Sequence, residues 1–163
     1  MLNEKVSTLL NEQINHELYS AYLYLDISNY YKDNGLDGFA NWYKIQAQEE
    51  RDHAMLFMEY LQNNGYRVTL DAIAKPDKEL EAGLEHEIIV TNLINAIYSQ
   101  AAEVKDYRTI QFLDWFVKEQ GEEEANAEAL IRKMELFGAD PRGLYLLDTE
   151  LGARIYAPPS LVL

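Results

Sequence analysis

The chain has no cysteine, and residues that interrupt helices are scarce, with 8 glycines and 4 prolines among 163 residues. Without cysteine there is no disulfide framework, no cysteine-based zinc site and no thiol nucleophile. The glycines and prolines fall in short groups, and apolar residues recur with a helical period in the long segments between them. The sequence therefore predicts an all-α protein.

Basic residues are also scarce. The chain has 14 Lys and Arg but 28 Asp and Glu, which gives a net charge of −14. Such a surface argues against binding to nucleic acid and to anionic membranes, which both favour basic side chains. It suits a protein that gathers cations. The N-terminal stretch MLNEKVSTLL does not resemble a signal peptide. No apolar stretch approaches the ~20 residues needed to span a bilayer. The sequence predicts a soluble, cytoplasmic protein.

Four long helices and one short helix are predicted. The long helices A to D are expected at about 3–32, 37–64, 77–105 and 109–137, and Asp37 is a candidate N-cap for helix B. Asp140 followed by Pro141 favours the start of a short helix E that ends near residue 153. We expect one domain over residues 1–155 and a loose C-terminal tail over residues 156–163.

The connection lengths predict how the helices are arranged. Helices A and B, and helices C and D, are joined by only a few residues, so each pair should form an antiparallel hairpin. The B–C connection, about 65–76, reads as extended and could reach ~40 Å, which is roughly the length of helix B. The prediction is a four-helix bundle with one long B–C crossover and a short fifth C-terminal helix.

Each long helix carries an apolar stripe at spacings of three and four, and each stripe is interrupted once, in mid-helix, by a glutamate. The four interruptions are Glu17, Glu50, Glu87 and Glu123. The midpoint between Glu17 and Glu50 falls in the A–B turn, and the midpoint between Glu87 and Glu123 falls near the C–D turn. The two glutamates of each hairpin should therefore lie at one level.

One stripe also contains a histidine. Glu50 and His53 form a Glu-x-x-His motif, which places both side chains on one helical face. Unpaired buried carboxylates cost several kcal/mol each, so four in one core call for a shared cation. Such a set is typical of di-metal carboxylate bundles, although the second Glu-x-x-His motif of that pattern is absent here. The predicted metal ligands are Glu17, Glu50, His53, Glu87 and Glu123.

Other interpretations of single residues remain open. A lone stripe glutamate is usually a boundary residue with its carboxylate in solvent. His16 and His86 each precede a stripe glutamate, which turns them ~100° away from the axis, so they are interpreted as structural or surface residues. Tyr24 is either plain core or a hydrogen-bond partner of a metal ligand. The spacing alone does not exclude Mn or Zn in place of iron.

Five motifs occur in order along the chain and resemble those of bacterial non-haem ferritins. They are NEQINHELYSAYLY, QAQEERDHA, LEHEIIVTNLI and FLDWFVKEQGEEE on helices A to D, followed by GLYLLD. The resemblance covers about residues 1–155 and implies a ferritin-like bundle with ferroxidase activity. It implies that Fe(II) is oxidised by dioxygen or hydrogen peroxide and that ferric mineral is stored inside a homo-oligomeric cage of 24 subunits.

The resemblance also assigns roles to residues of this chain. The first iron would be bound by Glu17, Glu50 and His53. The second would be bound by Glu50, Glu87 and Glu123, with Glu50 bridging the two metals. Gln120 would line the second iron, and Tyr24 would be the tyrosine beside the centre. Helix E would lie at a four-fold axis of the cage.

A third metal position is implied beside the di-iron centre. Its ligands would be Glu49, Glu119, Glu122 and the shared Glu123. The three members on helix D, Glu119, Glu122 and Glu123, stand at positions i, i+3 and i+4 and therefore share one face of that helix. No Lys or Arg occurs among positions 119–124. A solvated face toward the cage cavity is the alternative interpretation.

Two features bear on how this chain departs from its relatives. Position 121 is glycine where the family often has another residue, and glycine inside a helix costs ~1 kcal/mol. The related bacterioferritins carry the second Glu-x-x-His motif and a haem-ligating methionine, and Arg51 stands at that methionine's position here. We therefore expect no haem.

Three other functional classes use a helical bundle of this kind, and each predicts features of its own. An oxygenase or peroxidase of the rubrerythrin kind should have the second Glu-x-x-His motif and usually a Cys-ligated iron module. A DNA-protecting mini-ferritin should carry a basic tail and lack the short fifth helix. A purely structural bundle with solvated glutamates would bind no iron in air.

Overall fold

The computed structural model describes residues 2–76 and 83–163, and within these residues the chain forms five α-helices and no strand. The helices are α1 Glu4–Asp33, α2 Asp37–Asn63, α3 Leu84–Glu103, α4 Tyr107–Phe137 and α5 Pro141–Gly152. The four long helices form a bundle, and α5 packs against α2 and α4. The predicted all-α four-helix bundle with a short fifth helix is confirmed. Among the helices described, none is long and apolar enough to cross a membrane.

Side-chain caps define the start of three helices. A backbone N–H in the first turn of each of α1, α4 and α5 donates a hydrogen bond to a capping side chain. The capping side chains are those of Asn3, Asp106 and Asp140 respectively. Such caps stabilise a helix by ~1 kcal/mol. The predicted cap of α2 is wrong, because Leu36 holds the N-cap position and Asp37 is the first helical residue. There the Asp37 carboxylate pairs with Lys32 across the α1–α2 turn at 2.7 Å.

The start of α3 also differs from the prediction. This helix begins at Leu84 rather than near residue 77, because Gly83 has φ +117° and ψ −119°. That conformation is far from helical and is accessible to glycine at little cost. Residues 77–82, where the sequence predicts the start of helix C, lie outside the described residues. As a consequence Glu87 is in the first turn of α3 and not in mid-helix.

The connection between α2 and α3 runs alongside α1. Asn11 on α1 forms two hydrogen bonds with Thr69, donating to its carbonyl oxygen and accepting from its amide, both at 2.9 Å. One turn further, Asn15 donates to the carbonyl oxygen of Ala72 at 3.1 Å. Both contacts advance in the same direction, so the crossover follows α1 along the bundle, as its length predicts.

The core consists of two apolar clusters with a polar layer between them. The main core cluster includes the large buried side chains Leu10, Phe57, Ile94, Phe112 and Phe116. The second core cluster, at the opposite end of the bundle, is Phe39, Leu130, Leu147 and Leu151. Along α2 and α4 the stripe glutamates fall between the two clusters, and all four stripe glutamates are buried. The candidate site is therefore a polar layer next to apolar packing.

The apolar face of α5 is covered within its own chain. Leu147 and Leu151 are 3% exposed and belong to the second core cluster. On the opposite side of the helix Tyr145 and Leu146 are exposed. A short helix of 12 residues would be marginal alone, so packing on α2 and α4 is what stabilises it.

We predict that Gly38→Ala will destabilise the α2–α5 contact. A methyl group on Gly38 would lie 1.6 Å from the backbone oxygen of Asp148, whose side chain also accepts a hydrogen bond from the Phe39 amide. Relieving this overlap requires α5 to move, at a cost of about 1–3 kcal/mol. Gly121→Ala is the matched control, because its added methyl group meets nothing within 4 Å and should stabilise the helix by ~1 kcal/mol. Thermal unfolding of both variants measures the difference, and equal unfolding temperatures would contradict this packing.

Candidate metal centre

The polar layer brings together one glutamate from each long helix and one histidine from α2. All five side chains are at least 94% buried, as their exposed fractions of 1% to 6% show. They are Glu17 on α1, Glu50 and His53 on α2, Glu87 on α3 and Glu123 on α4. The structure thus assembles in one place the residues that the sequence analysis proposed as ligands of a di-iron centre.

Glu17, Glu50 and His53 form the tightest group of this layer. One ligand atom from each lies within 4.8 Å of the other two, and in the described part of the chain this is the one such group of three or more His, Asp or Glu residues. His53 Nδ1 lies 3.3 Å from Glu50 Oε2 as an ion pair, but its geometry is not that of a hydrogen bond. Because the two residues are three apart on α2, the helix itself holds them together.

Two buried atoms of this group have no hydrogen-bond partner among the described residues. They are Glu17 Oε2 and His53 Nδ1. Buried polar atoms almost always have a partner, and leaving one without costs about 1–3 kcal/mol. Both atoms are of the kinds that bind divalent iron or zinc, namely a carboxylate oxygen and an imidazole nitrogen. The residues present therefore fit a metal cation at this point.

The remaining carboxylates are held by hydrogen bonds from neutral side chains. The Tyr24 hydroxyl donates to Glu87 Oε1, and Gln120 Nε2 lies 3.3 Å from Glu87 Oε2. Gln46 Nε2 donates both to Glu50 Oε1 at 3.1 Å and to Glu123 Oε2 at 2.9 Å. The Gln46 amide thus joins α2 to α4 inside the site. Of the two alternatives for Tyr24, the structure shows both burial and a hydrogen bond to a candidate ligand.

Gln13 and Gln46 are site residues that were not predicted from the sequence. Gln13 Nε2 donates to Glu17 Oε1 at 2.8 Å, and Gln46 donates to Glu50 in the same way. Each glutamine precedes its glutamate by four residues, a spacing at which Gln and an acidic residue meet on a helix surface. That repeated spacing is the signal that could have identified them.

Burial and mutual repulsion control the protonation of the site. Burial raises the pKa of Glu17 well above its usual value, and the charge of Glu50 adds to this. Burial and the same Glu50 charge raise the pKa of Glu87 to about 7 and that of Glu123 to about 8. Without metal, these carboxyl groups therefore hold protons near neutral pH.

Glu50 and His53 behave in the opposite way. Burial alone would raise the pKa of Glu50, but contact with the positive ring of His53 outweighs it and the pKa of Glu50 is lowered. Burial alone would lower the pKa of His53, but contact with Glu50 and its charge raise that pKa to about 10. The metal-free site thus favours one ion pair beside carboxyl groups with raised pKa values, and a metal cation must displace the protons that these groups hold.

The residues proposed for a third metal position are more dispersed. Glu49 is paired with Arg154, whose Nη2 lies 2.5 Å from Glu49 Oε2. Glu122 is exposed and lies 3.4 Å from the ammonium group of Lys118. Glu119 is half-buried. Sequence reasoning missed Arg154, because nothing local to residue 154 indicates a contact with residue 49.

The other histidines and the tryptophans lie outside the ligand set. His86 is buried and forms a 2.8 Å hydrogen bond with Ser20 Oγ, which fits a structural role, whereas His16 is exposed. The ring of Trp115 meets the ring of His53 edge-on, with centroids 5.6 Å apart. The guanidinium carbon of Arg154 lies over the Trp42 ring, 4.1 Å from the centroid of that ring.

A four-helix bundle with a long crossover and buried carboxylates converging from four helices defines the class of ferritin-like di-metal carboxylate proteins. Residues 7–137 match the Ferritin-like domain family. A bacterial non-heme ferritin of Staphylococcus saprophyticus is 40% identical over 163 residues, which is 96% of this chain and 98% of that relative. One of Campylobacter jejuni is 39% identical over 91% of this chain and 93% of the relative.

Solved structures agree with this assignment. A structure described as a humanized archaeal ferritin superposes with a TM-score of 0.92 at 44% identity, covering 97% of this chain and 100% of that chain. An engineered closed form of the Archaeoglobus fulgidus ferritin gives a TM-score of 0.91 at 41% identity, covering 96% and 100%. The chain belongs to the ferritin family.

We predict that the metal-free protein loses stability as the pH rises. Glu87 and Glu123 have folded-state pKa values of about 7 and about 8 against an ordinary 4.5, and His53 has about 10 against 6.5. Each raised pKa stabilises the folded state fully below the ordinary value, and this contribution is lost as the pH passes the folded value. The thermal unfolding temperature should therefore fall between about pH 6 and about pH 9.

Glu123→Gln is the control for this pH dependence, because it removes one titrating group and keeps the shape of the side chain. Its unfolding temperature should fall less steeply with pH than that of the parent. Saturating Zn(II) should be most stabilising at the high end of the range, since fewer protons have to be displaced there. A parent and variant with the same pH profile would show that the buried carboxyl groups do not titrate as described.

Proposed function

We propose that this chain stores iron and that it oxidises Fe(II) at a di-iron centre inside each subunit, with dioxygen or hydrogen peroxide as oxidant. Membership of the ferritin family supports iron storage. The observation that carries the ferroxidase proposal is the pair of buried ligand atoms on Glu17 and His53 that accept or donate no hydrogen bond among the described residues, within a layer of converging carboxylates. Carboxylate-rich sites with one imidazole suit both Fe(II) and the Fe(III) formed from it.

The contacts support one division of the ligands between two irons. The first iron would take Glu17, Glu50 and His53, and the second would take Glu50, Glu87 and Glu123. Glu50 suits the bridging role, because one of its oxygens faces His53 and the other shares the Gln46 amide with Glu123. Two Fe(II) held side by side supply the two electrons that the oxidant accepts.

The side chains around the ligands prepare the site for cations. Binding of Fe(II) would release the protons of Glu17, Glu87, Glu123 and His53, because only the deprotonated groups are ligands. The Tyr24 hydroxyl, whose pKa burial and Glu87 raise well above its usual value, remains a donor to Glu87 throughout. Gln120 and Gln46 hold the second-iron carboxylates in place. The negative charge exposed by proton release then favours the ferric product.

We predict that Glu50→Ala abolishes fast oxidation of Fe(II) while preserving the helical fold. Loss of the bridging carboxylate affects both metals at once, so the rate at two Fe(II) per subunit should fall by more than about 100-fold, beyond the loss typical of an outer-shell change. Stopped-flow absorbance measures the rate, and far-ultraviolet circular dichroism measures the helix content. Glu59→Ala is the matched control, since Glu59 is an exposed glutamate on the same helix. Oxidation by Glu50→Ala at the parent rate would show that the centre is elsewhere.

We propose a closed cage of 24 subunits as the storage form. A single bundle can hold a di-iron centre but has no volume for mineral. The outer groove between α1 and α2 exposes the apolar side chains of Tyr22 and Leu25, and α5 exposes Tyr145 and Leu146. Exposed apolar surfaces of this kind are typical of subunit contacts.

Native mass spectrometry of the purified protein at micromolar concentration should detect an assembly of about 24 chains. Tyr22→Glu combined with Leu25→Glu should reduce this assembly to smaller species, because it places charge in an apolar contact. Thr8→Glu serves as the control, since Thr8 is an exposed polar residue of the same helix. A parent protein that is mainly monomeric or dimeric would contradict the cage.

A third metal position formed by Glu49, Glu119, Glu122 and Glu123 is part of the same proposal. Glu49 and Glu119 are partly buried at the edge of the centre, and this burial raises the pKa of both carboxyl groups. A divalent cation there would relieve their mutual repulsion. Unlike the di-iron centre, this position already has a cationic side chain against one of its carboxylates, because Arg154 contacts Glu49.

A further inference from the structure

The C-terminal strap, residues 153–163, is docked on the bundle beside the metal centre. The sequence had instead predicted a loose tail over residues 156–163. Near its start, Asn41 Nδ2 on α2 donates to the carbonyl oxygen of Arg154 at 3.1 Å. Two residues on, the Tyr156 hydroxyl donates to the carboxylate of Asp52, also on α2. The strap therefore follows α2 past the level of Glu49.

The far end of the strap is fixed to α4. Trp115 Nε1 donates to Ser160 Oγ at 2.9 Å, and Leu161 packs against the main core cluster. Pro158 and Pro159 lie between the two anchored ends and restrict the backbone to extended conformations. Anchors on both sides hold Arg154 in a defined position rather than on a free terminus.

Arg154 makes four contacts at the edge of the centre. Its Nη2 lies 2.5 Å from Glu49 Oε2, and its Nη1 donates to Gln46 Oε1 at 3.0 Å and to the carbonyl oxygen of Trp42 at 3.2 Å. The guanidinium group also lies over the Trp42 ring. The Arg154 side chain is 15% exposed and that of Glu49 is 20% exposed, so the pair is far less screened by water than a surface ion pair.

One amide connects Arg154 to the ligands of the di-iron centre. The oxygen of Gln46 accepts from Arg154, while its nitrogen donates to Glu50 and to Glu123. Arg154 therefore fixes the orientation of the amide that holds the bridging glutamate. A change in the contacts of Arg154 is transmitted to Glu50 through this single side chain.

We propose that Arg154 is a built-in cation that holds Glu49 at the edge of the third metal position and sets the affinity of that position, so that a divalent cation reaches Glu49 only by displacing the guanidinium group. Arginine remains charged at every pH at which iron is soluble, so the pair cannot be released by deprotonation. The inference rests on the proposed function, because the third position is a position for the cargo metal. Arg154 acts here as a positioning residue and not as a ligand.

The test is a titration with Zn(II), a divalent cation without redox chemistry, followed by calorimetry and by anomalous diffraction from soaked crystals. The parent should bind two Zn(II) per subunit tightly and a third weakly. Arg154→Gln should bind the third at least about tenfold more tightly, the factor expected for losing one charged hydrogen bond at Glu49. Arg132→Gln removes the same charge from an exposed ion pair on α4 and should leave all affinities as in the parent.

Two further variants make the result specific. Arg154→Lys keeps the charge but cannot span Glu49 and Gln46 together, so its third affinity should lie between those of the parent and Arg154→Gln. This variant also serves if Arg154→Gln does not fold. Adding Glu119→Ala and Glu122→Ala to Arg154→Gln should return the count to two Zn(II) per subunit, which places the gained metal at the third position.

The outcomes separate this inference from the proposed function. Two tight Zn(II) in the parent with no gain in Arg154→Gln or Arg154→Lys would overturn the role of Arg154 and leave the di-metal centre intact. A parent that binds its third Zn(II) as tightly as Arg154→Gln would overturn it as well. A parent that binds no Zn(II) at the central carboxylates would instead overturn the proposed di-metal centre. A lowered unfolding temperature of Arg154→Gln without a change in Zn(II) binding would show a purely structural ion pair.

Discussion

The ion pair between Glu50 and His53 is the interaction on which the candidate centre depends. It is buried on all sides, and the negative charge of Glu50 is a reason why neighbouring carboxyl groups keep their protons. A buried charge without a partner would cost several kcal/mol, and a second ionised carboxylate would repel the first. The metal-free bundle therefore tolerates four glutamates in its core because Glu50 is paired with a positive ring, while the raised pKa values of the other three favour their neutral forms.

The architecture and the level of the glutamates could be predicted because helical geometry is regular. Spacings of three and four place Glu17, Glu50 and Glu123 on the inner faces, and short turns bring the two members of each hairpin to one height. The same reasoning placed Glu87 correctly in space but not within its helix, since α3 begins only at Leu84. The unusual backbone of Gly83 could not be inferred from residue spacing.

What could not be predicted depends on contacts between distant parts of the chain. Arg154 and Glu49 are separated by 105 residues, and the strap that joins them has no regular secondary structure whose period could show which side faces the protein. The covering of α5 by its own subunit was also hidden, because apolar residues on a short helix show that a partner is needed and not which partner it is. The contact of Gln46 with Glu50, in contrast, could have been predicted, because the two residues are four apart on one helix.

The order of the chain makes the two proposed metal positions unequal. Glu17, Glu50 and His53 all lie on the α1–α2 hairpin, whereas Glu87 and Glu123 come from the α3–α4 hairpin. A small separation of the hairpins would leave the first group intact and would pull the second group away from Glu50. The interface between the hairpins thus crosses the second metal position, whereas the first lies entirely on one hairpin. An asymmetry of this kind arises from chain connectivity alone, without any difference in the chemistry of the carboxylates.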